Sequence, residues 1–308
     1  MQCLLAHAAP AQAAPVAPEK NILLVLWKGS TESELAFKAR LAVLGFNARF
    51  TEITGDQNRE TLATRMREQR EALLAGKYDL VYTYGTTVTQ VAQAVIANRT
   101  PVVFNQVFDP VGSGLVDGLL VPKHNTTGVT NGVPVELQLK AIVGLAPIRR
   151  LLLLFNPREP NANVVAKQVG QWATTNGVVL EVRRAAPGTD LLQKVYAEME
   201  SGALQVDTVY AGPDSYLASV AREISTKIGT KARLFGGTET FVRNGWLGAF
   251  VPILEDMGTS AADVAAEVLG GRPAGSVPVV SPPPRLVISS SMAKTHGMII
   301  PANAVVRP

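Results

Sequence analysis

The segment NILLVLWKGSTESELAFKARLAVLGFNARFTEI, residues 21–53, decides the fold class. It opens on an apolar run over 21–27, continues with a helical pattern over 31–44 that ends at Gly45, and closes on a strand pattern over 47–53. An apolar run of this kind predicts a strand buried on both faces, and a helix between two strands is typical of a parallel sheet. The segment therefore predicts the first strand-helix-strand unit of an α/β fold.

The same alternation continues through the first half of the chain and then starts again. The first half adds helices at 58–75 and 86–97 and strands at 79–84 and 101–107. In the second series, helices are predicted at 134–145, 161–175, 189–200 and 216–228, and strands at 150–155, 178–183, 207–211 and 232–236. We therefore expect two Rossmann-like doubly wound lobes in series.

The last part of the chain is too short for a third domain. It contains one predicted helix, at 255–269, and short apolar segments at 247–250, 277–280 and 285–289. These should dock on the two lobes, so that the chain crosses between the lobes about three times and the crossings form a hinge. We predict lobe 1 at 21–134 plus 255–284, lobe 2 at 135–254 plus 285–308, and hinge crossings near 131–136, 251–255 and 281–285.

Composition excludes several classes of function. The 29 Lys and Arg residues exceed the 25 Asp and Glu residues only slightly and are scattered along the chain, so nucleic-acid binding is not expected. Cys3 is the single cysteine, and the three histidines are remote from one another, so we expect neither a metal site nor a thiol nucleophile. The sequence also lacks P-loop, dinucleotide and G-x-S-x-G motifs, and we expect no cofactor, no catalytic residues and no enzyme.

Residues 1–20 have the Ala- and Pro-rich composition of a leader remnant or a disordered tail. Ala11-Gln12-Ala13 suits signal peptidase, but no Lys or Arg precedes Lys20 and the apolar run is short. We favour a longer original leader with a signal peptide.

Polar residues follow several predicted strands, at the edge where ligands of open α/β sheets bind. Tyr84-Gly85-Thr86-Thr87 opens a helix, where free backbone amides and hydroxyls could hold a carboxylate or phosphate. The candidate ligand-binding residues are Trp27, Thr86, Thr87, Asp109, Asn156, Glu159, Asp214 and Glu239. Each has a plainer interpretation: most would serve equally well as helix caps or first-turn charges, and Trp27 as a core residue.

The charges at this edge suggest a class of ligand. Asp109 on one wall, with Asp214 and Glu239 on the other, would suit an ammonium group, while the amides and hydroxyls at Thr86 and Thr87 would suit an acidic group. A ligand that carries both an ammonium group and an acidic group is a zwitterion. We therefore expect a small polar solute, an amino acid or a derivative. Asp109 is the residue on which this expectation depends most.

The sequence resembles the ABC-transporter substrate-binding proteins of the type I periplasmic-binding fold, in the group assigned to aromatic or branched-chain amino acids. The segments that carry the resemblance are PVVFNQVFDPVGSGLV (101–116), NTTGVTNGV (125–133), LLLLFNPREPNAN (151–163), VDTVYAGPDS (206–215), GWLGAF (245–250), ADVAAEVLGGRPAGSVPV (262–279) and LVISSSMAKTHGMIIP (286–301). The resemblance implies a periplasmic or other extracytoplasmic receptor, either free or anchored in the membrane through a longer leader. Such a receptor closes on its solute and delivers it to a membrane permease. In this chain Glu239 lies in Thr238-Glu239-Thr240, where the family usually has a Ser- or Glu-rich turn.

Two other functions are compatible with the same clamp. A sensory protein would pass its closed state to a histidine kinase or a chemoreceptor. The core of a LacI-type repressor is disfavoured, since no helix-turn-helix precedes Asn21. We expect a monomer, because the two lobes complete each other's cleft.

Overall fold

The computed structural model describes residues 19–308. The predicted leader segment therefore lies almost wholly outside the described residues. Within them the chain forms two mainly parallel sheets, and each sheet is covered by helices on both faces. This confirms the prediction of two doubly wound α/β lobes.

The first sheet has the strand order β2-β1-β3-β4-β5. Its strands are β1 Lys20–Leu26, β2 Ala48–Thr54, β3 Leu80–Tyr84, β4 Val102–Val107 and β5 Thr126–Thr130. Residues 22–26 of β1 are almost fully buried, which explains why this strand reads as a continuous apolar run. The helices of this lobe are α1 Glu32–Val43, α2 Arg59–Glu68, α3 Arg70–Leu74 and α4 Thr86–Ile96.

The second sheet has the order β12-β11-β10-β9-β8-β6-β7. Its strands are β6 Arg150–Phe155, β7 Val179–Arg184, β8 Thr208–Ala211, β9 Arg233–Gly236, β10 Gly248–Val251, β11 Arg285–Ser289 and β12 Val305–Arg307. The surrounding helices are α5 Val135–Val143, α6 Pro160–Thr175, α7 Leu191–Glu200, α8 Ser215–Ser219, α9 Ala221–Ile228, α10 Glu239–Arg243, α11 Leu254–Leu269 and α12 Ser290–Thr295. Of these, α11 packs against the first sheet and against α1.

The chain passes between the sheets at three places. It leaves the first sheet after β5, returns to it from β10 into α11, and leaves it again after Val280, which bridges Val129 of β5. Gly258 allows α11 to lie close to α1, because a Cβ atom at this position would sit 2.0 Å from the Ser33 carbonyl oxygen. The first residues of α11 therefore lie beside the hinge, and the rest of the helix packs against the first lobe.

The main differences from the sequence-based prediction are local. The predicted helices at 58–75 and 216–228 are each broken, at Gln69 and at Val220. Pro110 does not begin a helix, and residues 110–114 form a turn instead. Within residues 19–308 no helix combines the length and the apolar character needed to cross a membrane.

Candidate ligand-binding site

A cavity lies between the two sheets, at the carboxyl ends of their strands. It encloses about 1150 Å³ of empty space, part of it open to solvent. Its walls come from both lobes: the loops after β1, β3, β4 and β5 on one side, and α6, α8 and the turn into α10 on the other. The predicted site residues Trp27, Thr86, Thr87, Glu159 and Asp214 all line it.

The first wall contains the amino end of α4. Gly85 precedes the helix with φ +90°, a backbone conformation that favours glycine, and no side chain within residues 19–308 caps the helix. The backbone nitrogens of Thr86 and Thr87 therefore have no capping partner in the part of the chain that the structure describes, although both residues line the cavity. Uncapped amides at a helix start, together with the helix dipole, form a site for an anion such as a carboxylate.

The second wall carries two carboxylates at the start of α8. Both oxygens of Glu159 lie 3.0 Å from the backbone nitrogen of Ser215, and Oε1 also accepts a hydrogen bond from the Tyr216 nitrogen at 3.1 Å. Asp214 caps the same helix, and its Oδ1 accepts from the Leu217 nitrogen at 2.9 Å. Two acidic side chains from different strand ends are thus held together beside the cavity.

The environment of this pair changes its protonation. Burial of Asp214, which is 4% exposed, and the neighbouring Glu159 carboxylate raise the pKa of Asp214 to about 7. Hydrogen bonds from the Leu217 and Asn156 amides act in the opposite direction. A cation placed between the two carboxylates would offset their repulsion and favour the ionised form.

Aromatic side chains form the apolar part of the walls. Trp27 follows β1, Tyr84 ends β3 and Phe108 follows β4, and all three line the cavity. Burial raises the pKa of the Tyr84 hydroxyl well above its ordinary value, so this residue is neutral across the physiological range. The first lobe therefore offers flat apolar surfaces beside the α4 amides.

Three of the predicted site residues do not line the cavity. Asp109 is half-buried and stabilises a turn, since its Oδ1 accepts a hydrogen bond from the Gly112 nitrogen at 2.7 Å. Asn156 lies behind the acidic pair: its backbone nitrogen donates to Asp214 Oδ2 at 2.6 Å, and its Nδ2 lies 3.4 Å from Glu159 Oε1. Asn156 thus supports the two carboxylates without facing the cavity.

Glu239 has a structural position at the hinge instead of a place on the cavity wall. Its Oε1 accepts hydrogen bonds from Arg243 Nε at 3.0 Å and from Arg307 Nε at 2.7 Å. Its Oε2 accepts from the backbone nitrogen of Leu254, the first residue of α11, at 2.6 Å. Two guanidinium groups balance this buried carboxylate, so Glu239 ties the end of the chain and α10 to the hinge.

An ion pair also joins the two lobes directly. Arg243 of α10 donates from Nη1 to Glu32 Oε1 of α1 at 2.7 Å, and from Nη2 to Glu255 Oε1 at 2.9 Å. Since α10 lies next to cavity-lining Thr238 and contains Thr240, this bridge links the cavity wall of lobe 2 to lobe 1.

Several residues that line the cavity were not predicted. They include Lys28, Gln57, Gln106, Asn131, Asn161 and Thr238. Lys28 directly follows the predicted Trp27, so proximity to a strand end would have identified it. Asn131 follows β5, a strand that the sequence analysis did not predict, and Gln106 lies inside a strand pattern, so neither gave a comparable signal.

Comparison with known sequences identifies the family. The sequence model of the family described as ABC transporter substrate binding protein matches residues 43–308. A curated relative, the tyrosine-binding protein of Clostridioides difficile, is 24% identical over 211 residues. These residues make up 68% of this chain and only 59% of that relative.

Solved structures share the fold over nearly the whole length. The ABC domain in complex with L-Trp from Streptococcus pneumonia superposes with a TM-score of 0.80 at 21% identity, covering 92% of this chain and 97% of that chain. A conserved domain protein from Vibrio cholerae gives a TM-score of 0.80 at 23% identity, covering 93% and 99%. The predicted type I periplasmic binding protein fold is therefore confirmed, and the chain belongs to the ABC transporter substrate binding protein family.

Proposed function

We propose that this protein is the extracytoplasmic receptor of an ABC importer and that it binds an amino acid in the cavity between its lobes. One observation carries the proposal: the Glu159–Asp214 pair and the uncapped amino end of α4 line the same cavity from opposite lobes. A zwitterion needs acceptors for its ammonium group and donors for its carboxylate. The cavity supplies both, and a ligand that uses both would hold the lobes together.

The side chain of the ligand is proposed to be aromatic. Trp27, Tyr84 and Phe108 give the cavity its apolar walls, against which a flat ring would pack. Relatives point the same way, since one is named a tyrosine-binding protein and another was solved with L-Trp.

The proposed role is binding and delivery, not catalysis. Membership of the family supports a membrane permease as the partner and an extracytoplasmic location. We propose that the chain acts as a monomer, because one molecule contains both walls of the cavity, and that the lobes divide as 21–134 plus 255–284 and 135–254 plus 285–308. Strand pairing supports this division, since β11 and β12 continue the second sheet while Val280 still bridges β5.

Titration calorimetry tests the proposed function. The protein is unfolded, dialysed and refolded to remove any bound solute, and is then titrated with L-tyrosine, L-tryptophan, L-phenylalanine and glucose. We expect an aromatic amino acid to bind and glucose not to bind. At a hundred times its dissociation constant, such a ligand should also stabilise the fold by about 2.7 kcal/mol in thermal unfolding. The absence of binding by every amino acid would contradict the proposal.

A further inference from the structure

Two of the amide side chains that line the cavity, those of Gln106 and Asn131, are hydrogen-bonded to each other. Gln106 lies near the end of β4, and Asn131 directly follows β5 at the first hinge crossing. Asn131 Nδ2 donates a hydrogen bond to Gln106 Oε1 at 2.9 Å. Asn131 is 5% exposed, and among residues 19–308 nothing donates a hydrogen bond to its Oδ1. A buried amide oxygen without a donor is costly, and the residue that carries it lines the cavity, so a donor group on a bound ligand is a candidate partner.

The backbone at Gln106 is held in an unusual conformation. Its φ is +56°, and the pairing of β4 with β5 shifts register between Phe104 and Val107. The Gln106 nitrogen donates to Asn105 Oδ1 at 2.8 Å, and Asn105 Nδ2 in turn donates to Tyr82 Oη at 2.9 Å. A left-handed backbone is rare for glutamine and persists only where the surroundings fix it, and such strain concentrates at functional sites. Here the buried Asn105 fixes the bulge at Gln106.

We infer that the Gln106–Asn131 pair, together defined as the amide pair, recognises an uncharged polar group on the side chain of the bound amino acid. This inference rests on the proposed function. The charged ends of a zwitterion already have partners in Glu159 with Asp214 and in the α4 amides. The amide pair is uncharged, so it suits an uncharged polar group of the ligand.

The chemistry of the amide pair favours a hydroxyl group. Asn131 Oδ1 is an acceptor, while Gln106 keeps Nε2 as its donor end because Oε1 is occupied by Asn131. Rotating both amides by a half-turn exchanges these ends but still leaves one donor and one acceptor. A phenolic hydroxyl both donates and accepts, and therefore satisfies both ends. On the lobe 2 wall, the buried Thr238 Oγ1 also lacks a partner among the described residues.

Tyrosine and phenylalanine, which differ only in this hydroxyl, test the inference. Titration calorimetry on the refolded full chain should show tyrosine binding about 10- to 100-fold more tightly than phenylalanine, because phenylalanine would bury the amide pair unsatisfied. In Asn131→Leu, which removes the polar atoms at similar volume, we expect the preference to fall below about 3-fold while phenylalanine binds as before or better. Asn176→Leu, on the exposed C-cap of α6, is the matched control and should keep the preference.

Two outcomes would overturn the inference while leaving the proposed function intact. The first is equal affinity of the unaltered protein for tyrosine and phenylalanine, a measurement that depends on no variant. The second is an equal loss of both ligands in Asn131→Leu with unchanged melting, which would place the amide pair at the zwitterion. Failure of the proposed function looks different, since no amino acid would then bind at all.

Discussion

Glu159 and Asp214 come from the ends of different strands and meet at the start of α8, where Glu159 binds the backbone nitrogens of Ser215 and Tyr216 and Asp214 binds that of Leu217. Asp214 is buried and Glu159 beside it is half-buried, so the repulsion between the two carboxylates is only partly screened by water. The pair therefore suits a cation at the wall of the cavity, and its properties can be measured.

The affinity for an amino acid should depend on pH in a defined direction. The pKa of Asp214 is about 7 in the ligand-free protein, and an ammonium group beside it should lower that pKa. Binding then releases a proton. The affinity should be constant above pH 7 and should fall as the pH drops below 7, by up to about tenfold per pH unit. Calorimetry in buffers with different ionisation enthalpies measures the proton release.

The stability of the ligand-free protein should change in the opposite direction. The pKa of Asp214 is raised above its unfolded value of 3.8, so its protonated form stabilises the fold at low pH and this stability is lost as the pH rises to 7. Asp214→Asn should abolish both pH dependences. Asp190→Asn is the control, since Asp190 precedes α7 but its side chain makes no capping hydrogen bond within residues 19–308. A pH-independent affinity between pH 5 and 8 would contradict this account of the pair.

The uncapped start of α4 can be tested by supplying a competing anion. Gly85→Asp should place a carboxylate at the N-cap position, where it would accept hydrogen bonds from the α4 amides and exclude the ligand carboxylate. Gly85→Ala is the matched control, because both variants pay for a positive φ and neither Cβ would contact another residue. Relative to the alanine variant, the aspartate variant should bind at least about 10-fold more weakly. Equal binding would remove the α4 amides from the site.

The sequence-based hypothesis and the structure assign different roles to Asp109. The hypothesis expects it to pair with the ligand ammonium, whereas the structure places it on a turn through Gly112 and outside the cavity lining. Asp109→Ala should therefore lower the free energy of unfolding by about 1 kcal/mol, the usual net contribution of one hydrogen bond, and leave the ligand affinity unchanged. Thermal unfolding and calorimetry check both. A large loss of affinity with normal melting would restore the original hypothesis.

The bridge between Arg243 and Glu32 should slow the release of ligand. Glu32→Gln removes an ion pair whose side chains are 24% and 43% exposed, so its effect should be about 0.2–1 kcal/mol, or up to about 5-fold in the dissociation rate. The effect should diminish as salt is added. Glu60→Gln, at an exposed position in the first turn of α2, is the control. Stopped-flow measurement of an unchanged dissociation rate at low salt would show that the bridge does not hold the lobes closed.

The fold could be predicted because its central strands have a distinctive sequence pattern. Residues 22–26 and 151–154 are nearly fully buried, so their sequences are uninterrupted apolar runs between helical patterns. The strand β5 was missed because its buried residues include three threonines and a glycine. Its threonines are satisfied by tertiary hydrogen bonds, such as that from Thr127 Oγ1 to the Val277 carbonyl, which local sequence does not reveal.

The sequence predicts which edge of the sheets carries the site, but not which side chains at that edge face the cavity. The end of a strand identifies the edge of the sheet, and on this basis Thr86, Glu159 and Asp214 reach the cavity. Orientation depends on contacts distant in sequence: Glu239 is turned away by Arg307, the residue before the last. Gln106 reaches the cavity through a bulge held by Asn105, and no periodicity in the sequence signals that bulge.

The central claim is that the cavity binds a zwitterion through both of its charged ends, and one calorimetric comparison tests it most directly. The refolded protein is titrated with L-tyrosine, with tyramine, which lacks the carboxylate, and with 3-(4-hydroxyphenyl)propionate, which lacks the ammonium group. We predict that tyrosine binds and that each analogue loses about 2–5 kcal/mol of binding free energy, because a charged group of the site is left without its partner. An analogue that binds as tightly as tyrosine would contradict the claim.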